Sequence, residues 1–129
     1  MRIITADQLA DRQVCNHFLS LFRQLFGNSV EVTHELAEKH FNTFPISWLS
    51  TYMLSPKGRT AFDYVFYKAD EELKKVTEVA YNTKVLGATS PKEIQQAYCD
   101  YERMMQPHLD KFYKVIAHAF VDLYNQEAQ

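Results

Sequence analysis

Residues 90–123 read SPKEIQQAYCDYERMMQPHLDKFYKVIAHAFVDL, and this stretch decides the fold. Ser90 is an N-cap, Pro91 fits the first helical position and Glu93 the third, which together form a helix start signal. Ile94, Tyr98, Tyr101, Met105, Leu109, Phe112, Ile116, Ala119 and Leu123 follow at a mean step of about 3.6 residues, the pitch of one helical face. The stripe stays in phase through Pro107. Proline removes one backbone donor and clashes with the preceding turn, so the long helix is expected to kink near Pro107 rather than stop there.

A second stripe lies upstream. From about Thr60, the residues Phe62, Val65, Phe66, Ala69, Leu73, Val76 and Ala80 fall on one side of a helix that should end before Gly87. Ser55-Pro56-Lys57-Gly58 ahead of it reads as a turn. Between this helix and the first lies a short pair. Thr33 caps a helix carrying Leu36, Ala37, His40 and Phe41, and Pro45 opens another carrying Ile46, Leu49, Tyr52 and Met53. At the start of the chain, Thr5 with Gln8 makes a capping box. A first helix is expected from there to Phe26, stopped by Gly27. Its apolar arc, from Val14 to Phe26, is wider than one neighbour requires.

Those stripes predict an all-α single domain over residues 1–129, a bundle of four to six helices. The bulk figures agree. The chain has 129 residues, 47% of them hydrophobic, which suffices for one core. Only three glycines and four prolines punctuate it, too few for a many-stranded design. The last helix poses a length problem. A helix of about 36 residues spans about 54 Å, against a radius of gyration of about 14 Å for a compact domain of this size. Either Pro107 folds the helix back, or one end projects beyond the core and meets a partner.

Charge and cysteine usage narrow the function classes. A net charge of −2 and a pI near 6.2 disfavour a generally basic nucleic-acid or anionic-membrane binder. No stretch approaches a membrane span and no secretory signal is visible, so a cytoplasmic protein is expected. Cys15 and Cys99 make no metal-binding spacing and are expected to stay reduced.

Candidate chemistry is sparse. His34-Glu35-Leu36-Ala37-Glu38 resembles a zinc-protease signature but has Glu38 where the second histidine belongs. Glu31-Val32-Thr33-His34 has the di-iron spacing once, with no second copy. His118 and Asp122 stand one turn apart and read as a surface pair of little weight. His108, beside Pro107, is the candidate for a ligand or metal sensor. No nucleophile elbow and no phosphate loop occur, so no enzyme, catalytic residue, metal or cofactor is expected.

Two binding readings remain. Residues 32–54 have the outline of a helix-turn-helix, which would make the protein a DNA-binding regulator. Its second helix, however, offers Ser47, Ser50 and Thr51 around Trp48 instead of cations, and Glu31, Glu35 and Glu38 would repel phosphate. The preferred reading is a small non-enzymatic helical interaction module, an adaptor, inhibitor or regulator that binds a protein partner or a second copy of itself. Tyrosines at stripe edges suit such a surface. The expected partner-binding residues are Leu19, Phe26, Tyr64, Tyr67, Tyr113 and Tyr124.

Overall fold

A computed structural model describes residues 2–127. The elements in chain order are β1 (Ile3–Thr5), α1 (Ala6–Asp11), α2 (Asn16–Phe26), β2 (Ser29–Glu31), α3 (His34–His40), α4 (Ile46–Met53), α5 (Pro56–Lys84) and α6 (Pro91–Gln126). The protein is all-α apart from one small two-stranded sheet.

The expected first helix is two helices. Thr5 forms the capping box with Gln8 as read from sequence, but α1 ends at Asp11. The stop is a Schellman turn: Gln13 N–H donates to the Ala10 carbonyl at 3.0 Å and Val14 N–H to the Leu9 carbonyl at 3.3 Å. The left-handed position is held by Gln13, at φ 60°, where a glycine would be the usual signal. Leu9 and Val14, both buried, close the turn apolarly. The strands were also missed. β1 and β2 pair antiparallel, with Ile4 opposite Val30, and three residues each are too few to show a period.

The remaining starts follow their caps. Thr33 Oγ1 accepts from Leu36 N–H, and Ser90 Oγ accepts from Glu93 N–H. Pro45 sits one position earlier than expected, as the cap of α4. Ser55 is not part of a free turn. It caps α5 with Pro56 at the first helical position, so the helix begins four residues before Thr60. Glu127 reaches back to this start. Its carboxylate accepts from Ser55 N–H at 3.0 Å and from Ser55 Oγ at 2.6 Å, and it fills the space that a side chain at Gly58 would need.

Core and arm divide the molecule. The core gathers Phe18 and Phe22 of α2, Phe44, Leu49 of α4, Phe62 of α5, and Ile116, Phe120 and Tyr124 of α6, with Ile4, Leu9 and Val32 beneath them. The wide arc of α2 is accounted for inside one chain, because Leu19, Leu21, Leu25 and Phe26 all pack on this cluster. The N-terminal strand is tied to α6: Arg2 N–H donates to Asn125 Oδ1 at 3.0 Å, and Asn125 Nδ2 donates to the Val32 carbonyl.

α6 runs unbroken through Pro107. It does not fold back, and its N-terminal half extends beyond the core. The far halves of α5 and α6 pack on each other as a two-helix arm closed by Gly87, at φ 96°. Within the arm Ala80, Val85, Ala97 and Met105 are buried. Ile94 and Tyr98, on the same stripe, are 39% and 44% exposed because, among the described residues, no third element covers them.

Candidate functional site

α3 meets the C-terminal half of α6 through five polar side chains. His34 and Glu38 lie one turn apart on α3. Lys114, His118 and Asp122 lie one turn apart on α6. Thr33 sets the phase of α3 by capping it, and Ala37, fully buried between His34 and His40 in sequence, brings the backbone of α3 close to the core. The five side chains form one continuous array. Asp122 Oδ1 is 2.8 Å from His34 Nε2, His34 Nδ1 is 2.6 Å from His118 Nδ1, and His118 Nε2 is 2.7 Å from Glu38 Oε1. Lys114 Nζ closes the row, 3.3 Å from Glu38 Oε2. The two imidazole rings stack with centroids 4.9 Å apart.

Proton positions follow from these partners. An ionised carboxylate only accepts, so each Nε2 must carry hydrogen. The two Nδ1 atoms then face each other across the gap between the rings. The Glu38 carboxyl is held below its ordinary range, first by the hydrogen bond from His118 and then by Lys114. His40, on the other side of α3, stays out of the array. Its ring lies edge-on to Phe26 and its Nδ1 is 2.9 Å from Thr43 Oγ1. Burial lowers its proton affinity, and Lys39 adds to that.

The array was illegible in sequence. His34 and His118 are 84 positions apart, and each was weighed only against near neighbours. In the segment that resembles a zinc-protease signature, His40 turns away from His34 toward Phe26 and Thr43. Among the described residues, no group of three or more His, Cys, Asp and Glu side chains is arranged to hold a metal ion.

The expected partner-binding residues do not gather on one surface. Tyr64 and Tyr67 stand on the outer side of α5, 63% and 60% exposed. Lys68 Nζ lies 5.6 Å from the centre of the Tyr64 ring. Glu71, one turn on, raises the proton affinity of the Tyr67 phenol through a hydrogen bond. Tyr113 is exposed on α6 beside a pocket under the α3–α4 loop lined by Phe41, Phe44, Ile46 and Ile116. Leu19 and Phe26 are half-buried against the core. Tyr124 must be corrected. It is 1% exposed, stacked on Phe120 and covered by the Arg2 guanidinium 3.8 Å above its ring, so it is no rim anchor. Burial pushes its phenol pKa up.

Other candidates also find their places. His108 is exposed at a cleft of about 70 Å³ between α5 and α6. In the 32–54 segment, Ser50 is buried and its Oγ donates to the Ser47 carbonyl, which leaves Trp48 and Thr51 as the exposed side chains among those four. Cys15 and Cys99 are free and exposed. No helix among the described residues is long and apolar enough to cross a membrane.

Sequence reasoning passed over the arm as a surface. Val79, Tyr81, Leu86, Ile94 and Tyr98 are all exposed there, between 39% and 68%. Tyr81, Tyr98 and Tyr101 form an edge-on cluster with centroids 6.4 Å apart. Comparison with family models, with curated proteins and with solved structures returned no match.

Proposed function

We propose that the protein is a small non-enzymatic interaction module that joins a second copy of itself through the α5–α6 arm. One observation carries this reading: the arm bears five exposed large apolar side chains on a two-helix hairpin with no third element behind it. Two helices bury only one stripe each, and a second pair laid alongside makes a four-helix arrangement that buries the rest. The Tyr81–Tyr98–Tyr101 cluster supplies anchors of the kind that concentrate binding energy, large rings that lose little rotamer freedom. Tyr64, Tyr67 and Tyr113 are exposed as well but lie outside the arm, on the stretches of α5 and α6 that flank the core.

Light scattering across a range of protein concentrations tests the reading. The mass should rise from one chain to two, and Leu86→Ser with Tyr98→Ser should hold it at one chain with unchanged helix content. A single-chain mass at every concentration, identical in the variant, overturns it.

A further inference from the structure

We infer that His34 and His118 form a binding site for one divalent transition-metal ion of the zinc and copper type, held between their two Nδ1 atoms. Three features of the array point there. First, the two Nδ1 atoms face each other 2.6 Å apart, so one ion set between the rings could accept a lone pair from each. Second, each ring donates its Nε2 hydrogen to a carboxylate, Asp122 for His34 and Glu38 for His118. This is how metal-bound histidines are oriented and made more basic, and it leaves Nδ1 as the ligating atom on both rings. Third, the two carboxylates place two negative charges beside the point a divalent ion would occupy, and Lys114 offsets part of that charge from the far side of Glu38.

The fit is close. Zinc–nitrogen bonds of about 2.0–2.1 Å at a tetrahedral angle put the two nitrogens about 3.3–3.4 Å apart. The rings must therefore part by about 0.7 Å, which side chains on the surface can do by small rotations. With two protein donors, water completes the coordination shell. Imidazole donors select zinc, copper and nickel, while magnesium and calcium, which seek oxygen, are not retained. Because the donors come from α3 and α6, the ion would tie the two helices together.

Calorimetric titration of the intact protein with Zn²⁺ tests the site, in a Cys15→Ser, Cys99→Ser background that removes the two thiols. Binding of one ion per chain and a rise in Tm are expected, with Cu²⁺ binding more tightly and Mg²⁺ without effect. His34→Gln and His118→Gln should each weaken binding at least about tenfold, and Asp122→Asn should weaken it less. The ring resonances of His34 and His118 in the unsubstituted chain should move with added Zn²⁺, while those of His17 and His108 stay in place. Absence of saturable binding up to about 1 mM Zn²⁺, or binding kept when both histidines are replaced, overturns the assignment.

Discussion

Gln13 shows how a single residue can hide a boundary. A left-handed backbone costs an L-residue about 1–2 kcal/mol, and glycine escapes that strain at some cost in chain entropy. Gln13→Gly is therefore expected to stabilise the protein by about 0.5–1 kcal/mol, read as a shifted urea midpoint with unchanged slope. An unchanged or lower midpoint would mean that the Gln13 side chain supports the turn. The position also explains why the first helix was read as continuous. Boundaries marked by glycine or a capping hydroxyl, the stop at Gly27 and the starts at Thr33 and Ser90, can be seen in the chain. A stop built from glutamine and two backbone hydrogen bonds cannot. The histidine array was hidden for another reason. Its pairs join α3 to α6, and one-turn spacing within either helix says nothing about what faces it across the gap.

At the scale of elements, the stripe of α6 was legible throughout, but its depth of burial was not. Periodicity tells which side of a helix is apolar. It does not tell whether anything lies against that side. Met105, Phe112 and Ile116 are buried, whereas Ile94 and Tyr98 on the same stripe are exposed. The difference lies in the length of the helix relative to the core and not in the residues. It bears on dynamics. The arm has few buried side chains and no third layer, so it should open locally at less cost than the core. Amide exchange is expected to be faster in residues 76–105 than in 112–124 of α6, under conditions where exchange reports opening equilibria. Equal protection along α6 at low protein concentration would show instead that the arm and core unfold as one unit. Protection that rises only with concentration would locate the second copy on the arm.

For the molecule as a whole, stability should depend on pH through His40. Its folded proton affinity lies below that of the unfolded chain, because protonation would place a charge beside Phe26 in a partly buried setting. The sign follows by linkage. The unfolded chain takes up the proton more readily, so this contribution is fully present above the ordinary histidine value of 6.5 and is lost as pH falls through the lower folded value. His40→Asn should flatten the stability profile below about pH 6.5. A profile of the same steepness in the variant would assign the effect to other groups.

Arg2, held by Asn125, brings residues from near both ends of the described chain to within 3.0 Å of each other. The turn at Gly87 lies at the opposite pole, about 50 Å away along α6. A fluorescent reporter or an immobilising tether attached at either terminus would leave the tyrosine-bearing tip clear. A circular permutant could link Glu127 to Arg2 through a peptide and begin anew at Gly87, converting the hairpin into two free helical tails. Whether those tails still find each other would separate what the connecting turn contributes from what the helix faces contribute.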